Sequence, residues 1–542
     1  MNPVPRPSPT LLVFLLAIAV CTVFALYTDH RWEDFYITYR SSKNLAEGHG
    51  LVFQMGERVH TFTSPLGVLL PALALKLTGT RSDEIALGIF RIWCSCALGG
   101  ACVLLWRAAT AWGWGTFPRA LLALLPLLEP KCVDFSINGM ETPFMLLFIA
   151  WAVAVLSTGG PRTVLRLGLA WGGLMWTRPD GFAFGGATAV AWFVFLPTTA
   201  AAADRRALLR LYLRAALVAG ALYAPWFLWA WSYYGSPVPH TITAKGSGLV
   251  APWRLNWLDI LVRQTVLFAW QGRLRDAFLP AYSWFGGWPP VLAWWMRGAA
   301  TISTLYWLLP RGSRVGRMAS LSFLLSSLYA TAVTRAPWYW PCHAITAMIV
   351  VAAAAEDLGR SAKKRSWPTG LARTPWLAHV ALSVVLLGMT AWQLRQQQTI
   401  IEGQRRYIGY WLRANARSPQ DTVYLEPLGY IGFFSQLKMY DFLGLASPEV
   451  VAARRRLGEN EPGIIRELRP DWLVLRRFES QDIFQQSPAL LDDYHLVASF
   501  DASPRLRQIA WLPGRPYLEY DEAFDVFLRK PSPGAPSRPV GG

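Results

Sequence analysis

Long runs of apolar residues, separated by short polar connectors, restrict the possible folds of this chain more than any other feature of its sequence. The first run is Leu11–Leu26, and similar runs recur until about residue 392. Of the 542 residues, 53% are hydrophobic and 16% are charged, whereas soluble domains average about 25% charged residues. Because a straight membrane span needs roughly 20 apolar residues, we predict a polytopic, mostly α-helical membrane protein with about eleven transmembrane helices. The further predicted spans are Ile85–Trp106, Ala120–Leu128, Thr142–Val155, Leu167–Trp176, Phe182–Leu196, Ala215–Trp231, Pro289–Leu309, Met318–Val333, Ala344–Ala355 and Leu377–Trp392.

The charges in the connectors predict how the chain crosses the membrane. Arginine-rich connectors, such as 205–210 and 360–373, alternate with acidic ones, such as 33–57. Since basic connectors face the cytoplasm, this pattern predicts a cytoplasmic N-terminus and an outward-facing first loop, 28–64. The formal charge of +18 follows from the same bias, so we expect the lipid bilayer, and no nucleic acid, as the partner of these residues.

The chain becomes polar and charged after about residue 394. Helical patterns at Pro448–Leu457 and Gly463–Leu468 alternate with short β-rich runs, which predicts a small α/β domain on the outer face. We therefore predict a transmembrane domain over 1–394, an extracytoplasmic domain over 395–530 and a disordered tail over 531–542. The β-rich runs are Val423–Leu425, Trp472–Leu475, Leu496–Ala498 and Phe524–Phe527.

The first outer loop holds the residues best suited to chemistry. Glu33 and Asp34 are adjacent, with aromatic residues and Arg40 close behind. Carboxylates beside a membrane suit general-base chemistry on a hydroxyl, so Glu33 and Asp34 are the candidate catalytic residues. A solvated loop with an aromatic belt is an equally good interpretation of the spacing alone.

Four further polar clusters lie at predicted outer span ends, in 138–142, 177–181, 233–245 and 335–343. Each has an ordinary structural explanation, such as a helix start, a tight turn, a snorkelling lysine or an aromatic anchor. Their convergence on one membrane face nevertheless favours a shared site. The six cysteines suggest no metal site and no disulfide framework. The candidate substrate-binding residues are Arg40, Glu57, Arg58, Glu141, Arg178, Asp180, His240, Lys245 and His343.

The stretch Glu33-Asp34-Phe35-Tyr36-Ile37-Thr38-Tyr39-Arg40 opens a series of motifs that resembles a known family. The series resembles bacterial membrane glycosyltransferases of the GT-C class, nearest to the group of the mycobacterial terminal arabinofuranosyltransferases. It covers most of the chain in order. Its later members are Asn44-Leu45, Gly48–Phe53, Gly56–Val59, Phe62–Leu66, Gly139–Glu141, Thr177–Gly181, Tyr234-Gly235 with Pro237, Pro239 and Lys245, Glu426–Gly432, and Asp441–Leu445 with Ser447-Pro448.

This resemblance implies a polyprenyl-phosphate sugar as donor and a glycan or lipid of the cell envelope as acceptor. It also implies transfer on the outer face of the bacterial inner membrane, no cofactor, and an acidic base that maps to Asp34 or Glu33. Arg178 and Lys245, with Arg40 or His343, would stabilise the leaving phosphate. This sequence departs from the family's usual pattern at Glu33, where an aspartate is usual, at His60 and Thr61, and at His240, which leaves the sugar and the acceptor open.

Two other functions fit parts of the sequence. A non-catalytic flippase or transporter of lipid-linked sugars would need polar residues within its spans, and these are scarce here. A scaffold for other envelope enzymes would explain the C-terminal domain but gives no reason for the motif that starts at Glu33.

Overall fold

A computed structural model describes residues 8–195, 202–245, 273–329 and 336–531 of the chain. Helices dominate this part of the protein, and one small sheet lies near the C-terminus. The predicted disordered tail lies, from residue 532 onward, outside the described residues.

The described residues up to position 397 form fifteen α-helices. They are α1 Pro9–Thr28, α2 Glu33–Glu47, α3 Pro65–Leu77, α4 Asp83–Ala111, α5 Thr116–Leu128, α6 Pro130–Asp134, α7 Thr142–Thr158, α8 Thr163–Thr177, α9 Phe182–Val194, α10 Ala202–Tyr234, α11 His240–Lys245, α12 Pro290–Leu305, α13 Arg314–Tyr329, α14 Trp340–Lys364 and α15 Thr369–Gln397.

The predicted spans coincide with helices, and the multi-pass membrane character is confirmed. Within the described ranges, 5 helical segments are long and apolar enough to cross a membrane, and they contain α1, α4, α10, α14 and α15. Each of the other predicted spans overlaps a shorter helix. The number of crossings and their orientation stay predictions.

The helices of the membrane part pack through small residues. The ring of Phe14 on α1 lies so close to Gly99 on α4 that a Cβ added to Gly99 would be 2.9 Å from the ring. Ala101, Cys102 and Leu105, also on α4, are fully buried. Small side chains allow helix backbones to approach closely where lipid supplies no hydrophobic driving force. Gly99 thus allows α1 to pack closely against α4.

The C-terminal part holds a 5-stranded sheet with the order β2-β1-β3-β5-β4. β1 is parallel to both β2 and β3, whereas β5 is antiparallel to β3 and β4. The strands are β1 Thr422–Leu425, β2 Lys438–Asp441, β3 Trp472–Arg476, β4 Tyr494–Asp501 and β5 Ala523–Arg529. The sequence predicted every strand except β2.

Helices cover both faces of this sheet. A π-helical turn, Gln398–Glu402, joins α15 to the first of them. The helices are α16 Gly403–Asn415, α17 Leu428–Ser435, α18 Pro448–Leu457, α19 Glu461–Leu468, α20 Arg477–Gln486, α21 Leu490–Asp493, α22 Ser503–Arg507 and α23 Arg515–Glu519. Both predicted helices, α18 and α19, are present. The domain boundary at 394/395 stays a prediction.

α17 joins the C-terminal sheet to the first outer loop by packing against α2. Tyr36 on α2 packs against Tyr430 and Phe433 of α17, with ring centroids 4.5 and 4.8 Å apart. The Tyr430 hydroxyl donates a hydrogen bond to the backbone oxygen of Arg31. Thus the start of α2 lies between the helical bundle and the sheet.

Candidate functional site

Two cavities meet at Asp34. The helix-side cavity has a volume of about 230 Å³. It lies among α2, residues 61–64, residues 178–180, α11 and residues 336–339. The sheet-side cavity lies between α2 and the C-terminal part and has a volume of about 400 Å³. The residues that line both cavities are Asp34, Ile37, Lys245, Trp338 and Leu445.

Local sequence explains why α2 begins where it does. Glu33 and Asp34 occupy its first turn, where the helix dipole favours acidic side chains. The backbone N–H of Trp32 donates to the carbonyl of Asn138, which holds the helix start against the loop before α7. Gly139 in this loop has φ +94, and a Cβ there would lie 2.4 Å from the Phe35 ring, so only glycine fits.

In the helix-side cavity, Arg178 is buried and paired. It follows α8 and is 7% exposed, and its Nη1 lies 2.7 Å from Glu141 Oε1. Its Nε donates to the Tyr339 hydroxyl, and its Nη2 donates to Thr63 Oγ1. Because its charge is matched by Glu141 inside the site, Arg178 serves first to organise this wall.

Lys245 differs from Arg178 in its surroundings. It is the last residue of α11, is exposed, and lines both cavities. Its Nζ lies 5.7 Å from the centroid of the Trp338 ring. Among the described residues, no carboxylate lies within ion-pair distance of it, so this cation is available to an anionic ligand.

Glu33 faces the sheet-side cavity and is held by the C-terminal part. Its Oε1 accepts a hydrogen bond of 2.5 Å from the N–H of Gly429, and its Oε2 lies 3.2 Å from Arg405 Nη1. A side chain at position 429 would collide with the Glu33 backbone. Arg405 also pairs with Glu402 and Asp521, so Glu33 belongs to a buried ionic network.

The two adjacent acids therefore differ electrostatically. Burial raises the pKa of Asp34, Lys245 and Arg178 lower it, and Glu426 and Glu141 raise it further. Burial also raises the pKa of Glu33, and Arg405 opposes that rise directly. An ion pair holds Glu33, whereas Asp34 faces both cavities, and a carboxylate with a raised pKa suits a general base.

Of the residues singled out in the sequence, the structure brings Glu33, Asp34, Glu141, Arg178, Asp180 and Lys245 to these cavities. The other five do not line them. Arg40 is buried and donates to the carbonyls of Gly432, Gln436 and Leu437, so it fastens α17 to α2. The predicted contact between Arg40 and a substrate stays a prediction.

The remaining predicted residues lie elsewhere for equally plain reasons. Glu57 pairs with Lys438 on the sheet, and Arg58 stacks on Tyr233. His240 starts α11, and its N–H donates to the carbonyl of His60. His343 is fully buried beside Trp340 in α14. These four residues line neither cavity, and their predicted contacts with a substrate stay predictions.

Sequence reasoning missed the ionic network of the sheet-side cavity. Arg476 pairs with Asp521, Glu426 and Glu479, and it is 3% exposed. These partners lie far apart in the sequence, and no local pattern joins them. One signal was available in the sequence: Glu426 and Arg476 each lie at the end of a β-rich run. Parallel strands bring such ends to one edge of a sheet, so this position indicated that the two side chains could meet.

Comparisons with known proteins agree with this fold. A family model described as a domain of unknown function (DUF8728) matches residues 392–522. A terminal β-(1→2)-arabinofuranosyltransferase of Corynebacterium glutamicum is 28% identical over 282 residues, which cover 46% of this chain and 38% of that protein. The chain thus spans well under two thirds of that relative's length.

Two solved structures share the architecture. The oligosaccharyltransferase of Archaeoglobus fulgidus has a TM-score of 0.54 at 12% identity, over 86% of this chain and 68% of the other. ArnT of Cupriavidus metallidurans has a TM-score of 0.52 at 13% identity, over 95% of this chain and 97% of the other. The resemblance drawn from the sequence is therefore confirmed: this chain has the GT-C fold and is similar to the terminal arabinofuranosyltransferase group.

Proposed function

We propose that this protein is a membrane glycosyltransferase that moves a sugar from a polyprenyl-phosphate donor to an envelope glycan or lipid. The observation that carries this proposal is the position of Asp34 where the two cavities meet. A base placed between two binding spaces can reach a hydroxyl in one of them and a reactive carbon in the other.

The helix-side cavity suits the donor. Lys245 offers the leaving phosphate a cation without a described carboxylate partner, and Arg178 supplies a second positive charge behind Glu141. Fixed cations stabilise charge that develops on a leaving group, and their effect is larger in a water-poor site. Arg178 thus supports the site electrostatically, whereas Lys245 makes the direct contact.

The chemical step is a single displacement. The acceptor oxygen forms a bond to the anomeric carbon, and its proton passes to the Asp34 carboxylate. The bond between the anomeric carbon and the phosphate oxygen breaks, and polyprenyl phosphate leaves with the electron pair. Because attack and departure lie in line, the anomeric centre inverts. The expectation that no cofactor takes part stays a prediction.

The remaining parts of the proposal concern place and substrate. We place the reaction on the outer face of the bacterial inner membrane, with the C-terminal sheet outside, since the arginine-rich connectors alternate in register with the spans. The similarity to a terminal β-(1→2)-arabinofuranosyltransferase makes polyprenyl-phosphate arabinofuranose the first donor to test.

The test is a transfer assay with purified protein in lipid nanodiscs. Synthetic polyprenyl-phosphate arabinofuranose is offered with neutral oligosaccharide acceptors, and the products are read by mass spectrometry and by NMR of the new anomeric centre. We expect an acceptor lengthened by one sugar, with inverted configuration. The assay is repeated with donors that carry a panel of other sugars. If the protein moves these donors and the arabinofuranose donor across the bilayer but transfers none of the sugars, the result would instead support the flippase interpretation.

A further inference from the structure

The C-terminal sheet has a switch point that faces the site. β1 and β3 are adjacent and parallel, but the helices that follow them lie on opposite faces. Leu428 and Ile431 of α17, after β1, pack in one hydrophobic cluster with Val423 and Leu425. Ile483 of α20, after β3, packs in another cluster on the opposite face of the sheet. In open sheets, ligands bind in the crevice outside the carboxyl ends of parallel strands at such a point.

Two charged residues flank this crevice and line the sheet-side cavity. Glu426 directly follows β1, and Arg476 is the last residue of β3. Arg476 Nη2 lies 2.5 Å from Glu426 Oε2, which fixes the carboxylate. The Glu426 side chain is 38% exposed, and its Oε1 accepts no hydrogen bond from any described residue. One oxygen of an oriented carboxylate is therefore directed to a ligand or to solvent.

Aromatic rings complete the same cavity. Trp32 and Tyr282 are stacked with centroids 5.7 Å apart, and Tyr282 and Tyr517 are stacked at 4.3 Å. Tyr520 lines the same cavity, has the Arg476 guanidinium 4.7 Å from its ring centroid, and is 42% exposed. Flat aromatic faces bind the C–H face of a sugar, while carboxylates accept hydrogen bonds from its hydroxyls.

The charges of the cavity decide which ligand it takes. Arg405 is paired with Glu33, Glu402 and Asp521, and Arg476 is paired as described above. Since these two cations are matched by carboxylates, the crevice beside Glu426 offers an anionic ligand no unmatched arginine, and Lys245 lines the cavity where it meets the helix-side cavity. A neutral, hydroxyl-rich ligand meets acceptors and aromatic faces without a desolvated charge.

We propose that this crevice binds a neutral sugar residue of the acceptor, and that Glu426 accepts a hydrogen bond from one of its hydroxyls. The neighbouring hydroxyl of the same residue then points to Asp34. The C-terminal sheet thereby selects the acceptor, while the helical bundle holds the donor. This inference rests on the proposed function, because it assigns the acceptor side of the same reaction.

The experiment separates acceptor binding from transfer. Full-length protein in nanodiscs is titrated with neutral arabinofuranosyl and mannopyranosyl trisaccharides, and Kd is measured by saturation-transfer NMR. We expect Glu426→Ala to raise the Kd of the better trisaccharide roughly tenfold or more and Glu426→Gln to raise it less, with the donor Kd unchanged. Glu449→Ala is the matched control, because Glu449 pairs with Lys438 and lines neither cavity.

A second variant guards against misfolding of the first. Tyr520→Ala removes an exposed ring and is expected to weaken trisaccharide binding several-fold while the melting temperature stays near that of the native protein. An unchanged Kd in Glu426→Ala and Tyr520→Ala, or tighter binding of a phosphorylated trisaccharide, would overturn the inference. Trisaccharide binding that depends on Glu426 in a protein without transfer activity would overturn the proposed function and leave this site standing.

Discussion

The two cavities that share Asp34 are built from different parts of the chain and carry their charges differently. Lys245, a cation without a carboxylate partner among the described residues, lies where the two cavities meet and lines both of them. In the sheet-side cavity, Arg405 and Arg476 are both paired with carboxylates. We infer that a phosphate would bind near Lys245, whereas the crevice beside Glu426, where the charges of Arg405 and Arg476 are matched by carboxylates, suits a neutral sugar.

The same contrast separates two neighbouring residues. Glu33 and Asp34 are adjacent on α2, but Glu33 is held by Arg405 and by the N–H of Gly429. Among the described residues, Asp34 has no such fixed partner, and it lies where the cavities meet. We infer that Glu33 positions the sheet and that Asp34 does the chemistry.

The largest expected effect tests this division. Asp34→Asn keeps the shape of the side chain but cannot take up a proton, so we expect the single-turnover transfer rate to fall by about 10²–10⁴-fold. Glu33→Gln is the matched control and should keep the rate within about tenfold. Because burial disfavours the charge on Asp34, Asp34→Asn should not lower the melting temperature. A variant that retains most of the rate would refute the assignment of the base.

The next effect separates the two cations of the helix-side cavity. Lys245→Met should slow transfer by about 10²–10³-fold, as expected for a lost contact to developing charge, with little change in thermal stability because Lys245 is exposed. Arg178→Gln should slow transfer and also cost about 3–5 kcal/mol of unfolding free energy, since it leaves Glu141 buried without its partner. If Lys245→Met transfers at the native rate, the donor phosphate lies elsewhere.

The sequence predicted much of the architecture because its signals are local. Span ends with turn residues, such as Pro179-Asp180-Gly181, placed Arg178, Glu141 and Lys245 at one membrane face, and the structure brings these side chains to one cavity. The edge strand β2 was missed because it has only 4 residues and a mixed pattern.

What the sequence could not predict depends on distant partners. Arg40 was expected to meet a substrate, but its guanidinium bonds carbonyls 392–397 positions away. The partners of Glu33 are similarly distant, since Arg405 lies 372 positions along the chain. A charged residue in a motif therefore predicts that a side chain is needed, while only the fold decides whether it faces a ligand or another part of the protein.

A smaller effect tests the positioning role of Glu33. Glu33→Ala removes both the bond from Gly429 and the pairing with Arg405, so we expect a loss of about 1–3 kcal/mol in unfolding free energy and faster amide exchange in α17. Glu33→Gln keeps an acceptor for Gly429 and should lose less. Amide exchange measured by mass spectrometry, with Asp34→Asn as the control, checks this. Unchanged exchange in α17 would show that Glu33 does not hold the sheet.

The smallest effect is a pair of opposite shifts in pH dependence. Burial raises the pKa of Asp34 above its ordinary value of 3.8, so the transfer rate should fall on acidification at a higher pH than an ordinary aspartate would give. Lys245 lowers this pKa and Glu426 raises it. Lys245→Met should therefore move the acid limb to higher pH, and Glu426→Gln should move it to lower pH, each by less than about one unit. The measurement is kcat against pH at saturating donor and acceptor, so that weaker binding does not distort the limb. Both variants moving the limb in the same direction would mean that the titrating group is not Asp34, because a carboxylate close to both residues must respond oppositely to a lost cation and a lost anion.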